Sequence, residues 1–180
     1  RALLLEAAAQ GHIDAQVVCG DIYSCGRGVA TDDQLVFAHY EKAAQQGDMA
    51  SQYNMGINYE NGFGCEQSFE RAAEWFKKAA GQGHADAMVG LGTLYSNGEG
   101  VPQNYKRAFE LYQQSRALGN TDPGLHFNLG VCHEFGRGVA KDYLEARRFF
   151  SLASGQGDAE ATEYLKRLDE KVRIECPLLD

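Results

Sequence analysis

Glycine recurs in register along this chain: Gly11, Gly47, Gly83 and Gly119 stand 36 residues apart, and Gly157 follows 38 further on. Each interval carries a second glycine at Gly20, Gly56, Gly92 or Gly130, an aromatic or histidine three residues later, and then a Gly-x-Gly. A period of this length holding two helical patterns predicts an α-solenoid, in which neighbouring units bury one another's surface without a single central core. The expected architecture is all-α, a right-handed solenoid of antiparallel helix pairs. Residues 1–10 read as the end of a preceding unit's helix, 11–157 as four units, and 158–180 as a capping helix and tail.

Within each unit the spacing predicts helix A over 14–25, 50–61, 86–97 and 124–135, and helix B over 33–46, 69–82, 105–118 and 143–156. Asp32, Ser68, Asn104 and Asp142 stand just before the B helices, and each side chain can accept a bond from an orphan N–H there. Asp142 and Glu145 also have capping-box spacing. Gly26, Gly62, Gly98 and Gly136 end the A helices and Gly47, Gly83, Gly119 and Gly157 the B helices, where a residue at positive φ is expected. Helix B shows its apolar stripe at Phe69, Ala72, Ala73, Phe76, Ala79 and Ala80, echoed by Tyr105, Ala108, Phe109 and Tyr112 and by Tyr143, Ala146, Phe150 and Ala153. The final helix is expected over about 158–174, with Ala161, Tyr164, Leu165, Leu168 and Val172 inward. Gly20, Gly56, Gly92 and Gly130 fall inside A helices, where each costs on the order of 1 kcal/mol relative to alanine. Tolerating that cost in every unit implies a close helix contact.

Composition narrows the function classes. Lys+Arg number 17 against 25 Asp+Glu, a formal net charge of −8 with no basic run, which argues against a nucleic-acid footprint. Apolar residues are spread at helical intervals, and no stretch has the roughly 18–20 apolar residues of a membrane span, so no direct membrane insertion is expected. The five cysteines are unevenly spaced and weigh toward a reducing compartment. The chain opens inside a unit, so the start of the array is expected to be missing and targeting cannot be judged. The Gly-x-Gly loops join helix to helix and lack a P-loop lysine, so they read as turns. Cys19, Cys65 and Cys132 fall in core registers. Cys132 and His133, with His126 one face away, fit no zinc spacing, and His133 reads as an inter-helix ring in place of tyrosine. No nucleophile–base arrangement repeats or converges, so no enzyme activity, cofactor or metal is expected.

Ala15, Cys19-Gly20, Tyr23 and Gly26-Arg27-Gly28-Val29, with Leu91-Gly92, Tyr95, Gly98, Gly100-Val101, Ala108 and Tyr112, closely resemble the Sel1-like repeat, a relative of the tetratricopeptide repeat with a longer inter-helix loop. The resemblance covers about four units and implies the solenoid fold and an adaptor or scaffold role. A cysteine-rich bacterial branch of that family staples each helix pair with a disulfide. This chain departs from it, because no cysteine pair repeats from unit to unit.

If the Ala15, Cys19, Tyr23 face of helix A packs on helix B, the opposite face carries Val17, Tyr53, Val89 and Phe127, then Asp21, Ile57, Thr93 and Val131, then Ser24, Glu60, Ser96 and Glu134, with Phe135 at its end. The family resemblance implies that these positions line the concave groove. Val17, Asp21, Tyr53, Ile57, Glu60, Val89, Phe127, Val131, Glu134 and Phe135 are therefore the candidate partner-binding residues. Apolar groups flanked by acids suit a basic or amphipathic protein segment. The competing expectation is that superhelical curvature buries them. The function expected is a scaffold holding a protein or peptide within a larger assembly. The alternatives are a structural subunit, or an enzyme or cofactor binder like the cysteine-rich branch.

Overall fold

The computed structural model describes residues 2–25 and 32–175, with side chains through Lys171. Among the described residues the chain is ten helices: α1 (Ala2–Ala9), α2 (Ile13–Cys25), α3 (Asp33–Gln45), α4 (Met49–Asn61), α5 (Phe69–Gly81), α6 (Ala85–Asn97), α7 (Tyr105–Ala117), α8 (Pro123–Phe135), α9 (Tyr143–Gly155) and α10 (Ala159–Glu175). They form an all-α solenoid of antiparallel pairs. The even-numbered helices α2 to α8 are the A helices and the odd-numbered α3 to α9 the B helices, each pair packing tightly and each B helix adjoining the next A helix. Gly26 and the first Gly-x-Gly loop lie outside the described residues.

The B helices start where the side chains allow. Asp32, Ser68, Asn104 and Asp142 all accept from backbone N–H groups of the first turn. The A helices α4, α6 and α8 are capped too, by Asp48, His84 and Asp122. The expected capping box at Asp142 and Glu145 is only half made. Asp142 accepts from the Leu144 and Glu145 N–H groups, but its own N–H already donates to the His133 carbonyl. Glu145 turns instead to Arg148, 3.5 Å away. Ser68 and Asn104 donate in the same way to the carbonyls of Tyr59 and Tyr95, so this bond ties the starts of α5, α7 and α9 to the A helices before them. At the other end Gly47 (φ +96°) lets its own N–H and that of Asp48 return to the Ala44 and Ala43 carbonyls, closing the last turn.

The interior glycines are contact points between paired helices. A Cβ on Gly92 would lie 2.6 Å from Tyr112 Cε1, and Gly20, Gly56 and Gly130 face Tyr40, Phe76 and Phe150 in the same way. Gly100 (φ +67°) presses on the backbone of Phe69 at the start of α5, and Gly138 likewise meets Tyr105. The Gly-x-Gly loops thus stack on the preceding unit as well as turning the chain.

The buried stripe of helix B is wider than the sequence reading had it. Leu111 and Phe149 are buried alongside Ala108, Tyr112, Ala146, Phe150 and Ala153. Phe149 accounts for the histidines of α8: it stacks with His133 (5.7 Å) and with His126 (6.3 Å), and Phe109 meets His133 edge-on. His133 is therefore an inter-helix ring, although its Nδ1 and that of His126 are buried without a hydrogen bond.

A polar contact links successive units at one edge. Gln46 donates to Gln16 and Gln82 to Gln52, while Gln16 and Gln52 donate to the Ala8 and Ala44 carbonyls. In the third unit Met88 and Leu118 replace both members of the pair. Replacing both partners with apolar groups removes the donor and acceptor together, so no polar group is stranded.

The thiols differ sharply in environment. Cys19 and Cys132 are buried and Cys25 is exposed. Burial pushes the Cys132 thiol up to about 12 and raises Cys19 as well. A thiol reacts as its thiolate, so at pH 8 Cys132 stays protonated as well as covered, and burial disfavours the thiolate of Cys19 in the same direction. Peptide-resolved mass spectrometry after brief treatment with iodoacetamide at pH 8 should show Cys25 alkylated and Cys19 and Cys132 unmodified until denaturant is added. Early modification of Cys132 would contradict the packing of α8 on α9.

Candidate functional site

A helices meet across unit boundaries: α4 touches α6 directly, and Phe127 and Glu134 of α8 reach Tyr164 and Arg167 of α10. No pair of B helices approaches as closely as α4 and α6 among the described residues.

On that side, between α4 and α6, lies an open cavity of about 360 Å³. Tyr53, Ile57 and Val89 supply its apolar wall, Glu60, Asp86 and Asp122 its acidic rim, and Gly90 and Thr93 complete it. Tyr53 is held by stacking on His84 (4.5 Å) and by the tilted ring of Phe76 (5.9 Å). His84 is itself fixed, its Nδ1 accepting from the Ala87 N–H as the cap of α6. Two rim acids are engaged locally: Asp86 accepts from Asn120, and Asp122 accepts from Gly124 and Leu125 as the cap of α8. Glu60 has no such anchor among the described residues. Burial raises its carboxyl from the ordinary range, and the charge of Glu99 raises it further. Burial raises the Tyr53 hydroxyl as well, followed by the charges of Asp86, Glu60 and Asp122. The cavity is negative, has an apolar wall, and has no basic side chain in its lining.

The ten residues singled out from sequence do not form one surface. Tyr53, Ile57, Glu60 and Val89 meet in this cavity. Phe127, Val131 and Glu134 lie beneath α10, where Phe127 packs on Phe150 (5.8 Å) and Tyr164 (5.1 Å). Glu134 is 5% exposed and accepts two bonds from Arg167, at 2.7 and 2.9 Å. Asp21 accepts from the Tyr40 hydroxyl at 2.7 Å, and Val17 is half-buried on the same helix. Phe135 is exposed, with the guanidinium groups of Arg137 and Arg167 over its ring. Asp86, Gly90 and Asp122 were not among the candidates. Their signal was visible only as a register argument, since Asp86 and Asp122 lie at the starts of successive A helices and Gly90 adds a glycine to the repeated one in the middle of α6.

Cys132, His126 and His133 do not converge, and no group of three or more metal-binding side chains occurs among the described residues.

The Sel1 repeat model matches residues 13–48, 50–84, 85–120 and 125–158. Among solved structures, a protective antigen of uropathogenic Escherichia coli displaying an SLR fold is 33% identical, with a TM-score of 0.79 over 93% of this chain and 36% of that one. A Sel1 repeat protein from Oxalobacter formigenes is 34% identical, with a TM-score of 0.73 over 87% of this chain and 64% of that one. The Helicobacter pylori cysteine rich protein B is more distant, 26% identical with a TM-score of 0.50 over 65% of this chain and 89% of that one. The chain thus spans about a third of the first of these and less than two thirds of the second. The curated proteins give no match. With four matched units covering most of its length, this chain belongs to the Sel1 repeat family.

Proposed function

We propose that the chain is a protein-interaction scaffold that holds a segment of a partner protein on its inner, A-helix face and carries out no reaction there. Repeats of this family commonly mediate protein–protein contacts. The observation that carries the reading is the open acid-rimmed cavity between α4 and α6, with an aromatic anchor in its wall and acids at its edge. Aromatic groups in such settings dominate binding energy, whereas rim contacts contribute little.

Partners captured by the intact chain and identified by mass spectrometry should be lost, by about 30-fold in affinity or more, on Tyr53→Ala. Glu60→Gln, which removes a charge but no ring, should weaken binding by about tenfold and make it less dependent on salt. Circular dichroism must show both variants folded. A structural subunit is the second reading, and a shallow groove formed by Ala80, Met88, Ala117 and the exposed Leu118 favours it. If Leu118→Asp abolishes capture while Tyr53→Ala leaves it intact, the inner face is not the partner surface.

A further inference from the structure

The unit-to-unit register pairs the open cavity with a site that this chain fills itself. Counting from the first residue of each A helix, Tyr53, Ile57 and Glu60 of α4 correspond to Phe127, Val131 and Glu134 of α8. On the facing helix, Gly90 and Thr93 of α6 correspond to Tyr164 and Arg167 of α10. In the last pair Tyr164 fills the slot beside Phe127 and Phe150, at 5.1 and 5.3 Å between ring centres. Arg167 places its guanidinium 2.7 and 2.9 Å from the two Glu134 oxygens and 4.2 Å from the centre of the Tyr164 ring.

In the second pair both of these groups are missing. Gly90 has no side chain and takes the Phe76 ring against its Cα, where a Cβ would meet it at 3.0 Å, and Thr93 is too short to reach a carboxylate, donating instead to the Val89 carbonyl. Glu60 takes part in none of the ion pairs found among the described residues. The cavity lies at the register position where, two sites further along, an aromatic ring and a guanidinium stand. Asp86 and Asp122 add negative charge at its mouth and no cation offsets it within the lining.

We propose that the α4–α6 cavity takes an arginine of a partner protein, its guanidinium paired with Glu60 and a neighbouring aromatic side chain lying over Gly90 against Tyr53. Arginine suits the site better than lysine, because a planar fork can satisfy both carboxylate oxygens and stack on a ring at once. The internal pair at Glu134 and Arg167 shows this chain making both contacts together. The inference rests on the reading of the inner face as a partner surface and names the chemistry it selects.

The test uses the intact chain and an acetylated, amidated peptide with tyrosine and, three residues on, arginine, in 15N-resolved titrations. The expected result is a set of shifts centred on Gly90, Thr93 and Glu60, with affinity falling about tenfold or more when citrulline replaces arginine or in Glu60→Gln, as loss of a charge-assisted hydrogen bond requires. Lysine in place of arginine should bind more weakly. A second variant, Thr93→Arg, puts the chain's own guanidinium into the cavity. It should raise the melting temperature and abolish peptide binding. Equal affinity for the arginine and citrulline peptides, with shifts still at the cavity, overturns the arginine assignment and leaves the inner-face reading standing. Shifts confined to the outer B helices overturn both. Absence of any shift at millimolar peptide overturns the assignment.

Discussion

Gly92→Leu is expected to lower the melting temperature by about 2–12 °C, the equivalent of roughly 1–3 kcal/mol in a chain of this size. Even a methyl at Gly92 would sit 2.6 Å from Tyr112 Cε1, and Tyr112 is 1% exposed, with no room to move aside. The contact is between paired helices, so the damage should start at α6 and α7 and spread to the neighbours that each unit needs for its burial. Gly81→Ala provides the opposite sign from the same class of residue. Gly81 closes α5, a Cβ there meets nothing within 4 Å, and its φ is not positive. Alanine should therefore stabilise by about 0.4–1 kcal/mol through lost freedom in the unfolded chain. Thermal melts of the two variants side by side test the assignment. Equal melting temperatures would show that Gly92 is a relaxed helix position.

The helices were legible because their signals are local and repeated. The predicted B helices begin at the observed residues and the predicted A helices within one residue of them, since cap residues and terminal glycines mark each unit. Close helix contact was legible from Gly20, Gly56, Gly92 and Gly130 for the same reason: a glycine kept in a helix interior implies a neighbour too near for a side chain. What escaped were contacts between separate helices. That Asp142 spends its N–H on the His133 carbonyl depends on the loop folding back, which capping-box spacing cannot reveal. The stacking of Phe149 on His126 and His133 joins residues that no helical stripe groups together. The candidate surface was chosen by register within one unit, and its fate is decided by the next A helix. Where that helix presents Tyr164 and Arg167 the surface is covered, and where it presents Gly90 and Thr93 it remains open.

Docking of α10 should accordingly depend on Phe127 and Arg167 to an extent that a solvent-facing aromatic and a surface ion pair would not. Phe127→Ala removes the ring between Phe150 and Tyr164 and is expected to cost about 2–4 kcal/mol, below the full value for a wholly buried phenylalanine because Phe127 is only partly covered. Arg167→Ala takes both hydrogen bonds from the Glu134 carboxylate, which is only 5% exposed in the intact chain. Breaking a fully buried pair costs about 3–5 kcal/mol, but the Arg167 side chain is 52% exposed and water at its end reclaims part of the loss, so about 1–3 kcal/mol is expected. Hydrogen exchange should locate both effects, with α10 losing protection first and α4 to α7 keeping theirs. The asymmetry of a stranded charge supplies the decisive comparison: Glu134→Gln combined with Arg167→Ala should be less destabilised than Arg167→Ala alone, because the double variant buries no unpaired carboxylate. If the two substitutions add instead, Glu134 is reached by water and the pair contributes as an ordinary surface contact.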